Sequence, residues 1–99
     1  MDALKPGGPQ AARRRGPSRI DEPVAVPTLR HGFFPAAFVW RGRRHAVSAV
    51  EDCRTEVHHN WRGAAERHHF RVRAEGAVYE LTQDLARDVW QLERMWELN

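Results

Sequence analysis

Arginine beside an aromatic side chain is the combination with chemical potential that this sequence offers most often. Arg41, Arg43 and Arg44 follow Trp40, Arg62 follows Trp61, and Arg71 and Arg73 alternate with Phe70 and Val72. Guanidinium groups neutralise phosphates while aromatic faces stack on bases, which is how small β domains hold single-stranded nucleic acid. An aromatic-and-arginine surface equally suits a protein partner, and there Phe33 and Phe34, on a loop ending at Pro35, join the candidates. The bland alternative is internal pairing. Arg71 and Arg73 can sit across a ladder from Glu80, and near Glu93 if the last segment is a strand, in pairs contributing about 0.2–1 kcal/mol each.

Other chemistries find less support. His45, His58, His59, His68 and His69 lie near Cys53 in the chain, but zinc takes four convergent ligands, usually supplied in closely spaced pairs. No CxxC, HxH or HExxH pattern is present, and adjacent histidines on a strand point to opposite faces. Covalent catalysis would need Cys53, Ser18 or Ser48 activated by a positioned base, and no oxyanion-type glycine turn accompanies them. Gly42, Gly63 and Gly76 stand alone as turn residues, so no phosphate loop is present. The expectation is a protein without enzymatic activity, metal or cofactor.

Charge is unevenly placed. The net formal charge is +3 and the pI about 10, but residues 1–19 carry Lys5, Arg13, Arg14, Arg15 and Arg19 against Asp2 alone. Residues 20–99 hold 11 arginines against 12 acids, so the high pI says nothing about the part that folds. The first nineteen residues, rich in proline and glycine, read as a disordered basic tail. One cysteine, no apolar run of the ~20 residues a membrane span needs and no apolar segment after the early arginines suggest a cytoplasmic chain off the membrane.

The elements that must position these residues are strands. Ile20–Val26 reads as a first strand, held to an edge by Pro23 and Pro27. Thr28–Pro35 reads as a loop. Arg41-Gly42 reads as a two-residue hairpin turn that sets Trp40 opposite Arg43, Phe38 opposite His45 and Ala36 opposite Val47. Residues 51–66 lack a pattern and read as a long loop or short helical turn pinning Trp61 onto the sheet. Strict alternation returns at 68–74, with Phe70 and Val72 inward, and after Glu75-Gly76 at 78–82, with Tyr79 and Leu81 inward. The last segment fits two periods: Trp90, Leu92 and Trp96 share a strand face, while Leu85, Val89, Leu92 and Trp96 fit a helix that Asp84 would cap. The tryptophans read as core first and ligand platform second, because so small a domain needs large aromatics to fill it.

Four ordered blocks then resemble a known family: Phe38-x-Trp40-Arg41-Gly42-Arg43, Arg67-x-x-Phe70-Arg71-Val72-Arg73-Ala74, Val78-Tyr79-Glu80-Leu81 and Trp90-x-Leu92-x-Arg94-x-Trp96. The chain is similar, over roughly residues 20–98, to the bacterial domain-of-unknown-function family 6504. Segments of this kind also occur at the carboxy terminus of Y-family, translesion-type DNA polymerase homologues. The resemblance implies a compact β protein linked to DNA damage tolerance, with no catalytic residue to carry over, and it tips the last segment toward strand. His45 and Thr82 stand where the family tends to have aromatics, Asp88 where a turn glycine is common, and Asn60-Trp61 in place of paired tryptophans. The sequence therefore predicts a mainly β fold: a curled or barrel-like antiparallel sheet of about six strands, a basic tail and an optional carboxy-terminal helix. Its predicted function is non-catalytic interaction with a polymerase-like or repair protein, with direct DNA binding through Arg41, Arg43, Arg44 and Trp61 as the alternative.

Overall fold

The computed structural model describes residues 16–98. They form β1 (Ser18–Arg30), β2 (Phe34–Trp40), β3 (Arg43–Ala46), β4 (Ala49–Asn60), β5 (Gly63–Ala74), β6 (Ala77–Asp84) and β7 (Val89–Glu97). All seven join one antiparallel sheet in the order β3-β2-β1-β7-β6-β5-β4. Two meanders, β1–β3 and β4–β7, meet where β1 pairs with β7.

That order forces curvature. β3 and β4 stand at opposite ends of the sheet, yet only Val47 and Ser48 connect them. Seven flat strands would hold the outer two about 29 Å apart at their usual spacing, and so short a connection reaches only about 10 Å. The sheet must therefore curl until its ends approach. Val47 N donates to Ala36 O at 2.9 Å and Ser48 N to Arg73 O at 2.8 Å, which fixes the corner to both ends of the sheet. No ladder joins β3 to β4, so the curl stops short of a closed barrel.

Curling gives the sheet an inner face, and the core fills it. Phe38, Val47, Phe70, Val72, Ala74, Ala77, Tyr79, Leu81, Trp90 and Leu92 form one buried cluster. The expected hairpin is present, with Arg41 (φ 53) and Gly42 (φ 77) at its turn and Trp40 opposite Arg43, Phe38 opposite His45. His45 lies buried and stacked on Phe38, the ring centroids 4.9 Å apart and the planes within 12°. The second expected turn, Glu75-Gly76, has the same left-handed pair (φ 51 and 80) between β5 and β6.

Several expectations need correction. The strands number seven rather than six. β1 is internal, not an edge. Its prolines fit because Pro27 falls in a bulge between Ala25 and Thr28, and Pro23 precedes the first residue paired with β2. β1 also runs on to Arg30, so most of the expected 28–35 loop is strand and only His31, Gly32 and Phe33 turn. The strand already begins at Ser18, inside the expected tail; residues 1–15 of that tail lie outside the described residues.

The last segment is a strand and not a helix. Asp84 Oδ1 does accept from Ala86 N (3.1 Å) and Arg87 N (3.2 Å), the contacts a helix cap would make. Asp88 then takes φ 54 and turns the chain back, and β7 pairs with both β6 and β1. A bulge at Glu93, where Leu81 faces Leu92 but Glu80 faces Arg94, reverses the alternation. Trp90 and Leu92 consequently face the core while Trp96 is buried on the opposite face, so the three do not share a side.

Candidate functional site

Residues 51–66, expected as a loop, form the most extended feature of the molecule. β4 pairs with β5 from Ala49–Arg73 out to Asn60–Gly63, whereas β6 accompanies β5 only from Ala74 to Arg67. Beyond the Glu56–Arg67 pair the hairpin therefore continues alone, for about 16 Å at ordinary strand rise. The molecule measures 57 × 33 × 24 Å, and this arm accounts for part of its length. Sequence alternation could not announce it, because neither face of the ribbon is buried and β4 is exposed everywhere but Val50.

Trp61 sits at the arm's tip and is 87% exposed. It does not pin onto the sheet. Asn60 Oδ1 accepts from Arg62 N at 2.8 Å and Gly63 takes φ 121, so the turn is built by its own residues. The Arg62 guanidinium lies 4.7 Å from the Trp61 ring centre, and Arg62 forms no ion pair among the described residues. Below the tip, Glu56 Oε1 lies 2.7 Å from His69 Nε2 and 3.3 Å from His58 Nε2. The hydrogen bond from His69 is the main cause that holds the Glu56 carboxyl below its ordinary range. Thr55 Oγ1 lies 2.9 Å from His68 Nδ1. These contacts stiffen the arm's base.

The remaining candidates are scattered and mostly engaged. Arg41 donates to Glu22 from Nε (3.0 Å) and Nη2 (2.6 Å), lies 4.6 Å over Trp40, and Trp40 Nε1 donates to the same carboxylate at 2.8 Å. The hydrogen bonds from Arg41 and then Trp40 hold the Glu22 carboxyl down at about 2. Arg43 Nη2 lies 3.3 Å from Glu75 Oε1, whereas Arg44 is exposed with no ion pair among the described residues. Arg71 donates to Glu80 at 3.0 Å and lies 5.4 Å over Trp96; Arg94 lies 3.4 Å from the same Glu80, and Arg73 pairs with Glu51. This is the charge-balanced face that ladder pairing predicts, with Glu51 rather than Glu80 serving Arg73.

Phe33 and Phe34 are not free surface. Both are half-buried; Phe33 sits 4.8 Å from Phe34, 5.0 Å from His68 and 5.3 Å from Phe70, edge to face, as part of the core's margin. The Cys53 thiol is pushed up by desolvation and by Asp52, the reverse of what a nucleophile requires. Of all the candidates, only Trp61 and Arg62 combine a large exposed aromatic with a cation that no acid occupies.

A family model matches residues 16–98, nearly all of the chain and nearly the extent of the described strands. The chain belongs to the family described as Domain of unknown function (DUF6504). The matched span runs across all seven strands. No curated protein and no solved structure matches the chain.

Proposed function

We propose that this member of the family is a non-catalytic interaction module that docks a protein partner through the β4–β5 arm, with Trp61 as the anchor. The observation that carries the reading is the exposure of Trp61. An indole held out at the end of a two-stranded ribbon adds nothing to the core, and tryptophan is the side chain most enriched among residues that dominate interface energies. The arm's turn and base are stiffened by their own hydrogen bonds, so little ordering would be lost on docking. Likeness to segments on translesion-type polymerase homologues supports a polymerase or repair protein as that partner.

Direct binding of single-stranded DNA is the second reading, favoured by Arg62 over Trp61. It ranks lower because Arg41 and Arg43, the cations expected to hold phosphates, face Glu22 and Glu75. The test measures binding of the full chain and of Trp61→Ala to the polymerase homologue of its own cell and to single-stranded oligonucleotides across a salt series. Salt-insensitive binding to the polymerase, lost in Trp61→Ala, supports docking. Oligonucleotide binding that falls steeply with salt and survives deletion of residues 1–15, which leaves β1 whole, would put the DNA reading in its place.

A further inference from the structure

The arm has a second unusual property: its outer edge is open. β4 is twelve residues long and ends the sheet, and among the described residues no strand pairs with the side facing away from β5. Such an edge is a template for another strand, and proteins ordinarily blunt it with charged side chains, lysine above all, with proline or with a bulge; β4 carries Glu51, Asp52, Arg54 and Glu56, so any strand that pairs there must complement those charges. β4 has no lysine or proline, and its one bulge, at Glu51, lies near its start.

Along that edge the residues are Asp52, Cys53, Arg54, Thr55, Glu56, Val57 and His58. Laid antiparallel against itself with Thr55 facing Thr55, the strand sets Arg54 opposite Glu56, Cys53 opposite Val57 and Asp52 opposite His58, twice over. Threonine pairs and opposite charges across a ladder stabilise it, and like charges oppose it. Shifting the centre to Arg54 puts Arg54 against itself and Asp52 against Glu56; shifting it to Glu56 puts Glu56 against itself and Arg54 against His58. The Thr55-centred register thus excludes both of these neighbours. Arg54, which forms no ion pair among the described residues, gains one in this register and in neither of those two.

Past the Asp52–His58 pair the bulge at Glu51 takes up one residue, so the same register carries Trp61 of one copy just beyond Ala49 of the other. Beside Ala49 lies an open groove of about 480 Å³, lined by Arg30, Phe34, Val50, Glu51, Asp52 and Cys53.

We infer that β4 pairs antiparallel with β4 of a second copy of this chain, centred on Thr55, joining two seven-stranded sheets into one across a twofold axis. This names a partner for the arm and rests on reading the arm as the binding element. The full chain should sediment at twice its 11.5 kDa and dissociate on dilution. Arg54→Glu and Glu56→Arg each place two like-charge pairs in the interface and should weaken the dimer about tenfold or more. Mixing the two variants restores both opposite-charge pairs, so a heterodimer should recover the strength of the wild type. That recovery shows both variants are folded.

A wild type that stays monomeric at the highest soluble concentration overturns the inference. So does a dimer indifferent to both substitutions, or one that mixing fails to restore. The docking reading fails by a different result, a polymerase partner bound equally well by Trp61→Ala.

Discussion

Replacing Trp61 by alanine should leave the fold's stability almost untouched, although tryptophan is the largest side chain a core can lose. Trp61 is 87% exposed, so about an eighth of its surface is withdrawn from water in the monomer. For a side chain of up to ~250 Å², that is about 30 Å² and roughly 0.8 kcal/mol at 25 cal/mol per Å². The Arg62 stack adds about 0.5 kcal/mol at such an exposed place. The expected loss is thus about 1.3 kcal/mol at most. Trp90, 9% exposed and packed 5.5 Å from Phe70, is the internal comparison. Its truncation to alanine should cost about 3–5 kcal/mol, because transfer and cavity costs add. Urea unfolding followed by far-ultraviolet circular dichroism would measure both, at a concentration low enough that association contributes nothing. A loss of several kcal/mol in Trp61→Ala would refute the separation of arm tip from core. Trp61 would then be structural, and its exposure would carry no functional meaning.

Further outcomes follow from the same contacts. The Glu22 carboxyl, held down at about 2 by Arg41 and Trp40, contributes stability above its ordinary value near 4.5 and loses it as pH falls through about 2. Glu22→Gln should accordingly lower the melting temperature at neutral pH, with the difference vanishing near the acid limit; a pH-independent difference would argue against the contact. His45→Phe should stabilise the protein by about 1 kcal/mol, since it keeps the stack on Phe38 and removes a buried polar atom. His45 Nδ1, 3.2 Å from Glu75, makes no aligned hydrogen bond. Denaturant midpoints would show it. Gly42→Ala, at φ 77 with open space around the new methyl, should destabilise by about 1 kcal/mol through backbone strain alone.

What could be read from the sequence was whatever a buried face imprints on it. Phe70 and Val72 alternate with Arg71 and Arg73 because one side of β5 meets the core, and Phe38 opposite His45 followed from a two-residue turn that only left-handed residues build. β4 escaped because neither of its faces is covered, so no period is imposed on its side chains. Residue type favours the core for Trp61, which is where tryptophan usually goes; being carried beyond β6 is a matter of strand lengths that pairing alone reveals. The edge role given to β1 failed for a related reason. Proline excludes a strand from regular pairing, but bulges let β1 hold two neighbours. One bulge at Glu93, which local sequence does not announce, carries Trp96 to the face opposite Trp90 and Leu92.

The contact surface can be located directly by amide hydrogen exchange of the full chain, compared between dilute and concentrated protein and again with the polymerase homologue added. The account predicts that the protection gained falls within residues 52–62, the outer edge of β4 and the arm's tip. Protection gained instead at the Arg41–Arg44 turn or along Arg71 and Arg73, with the arm exchanging as freely as before, would contradict it.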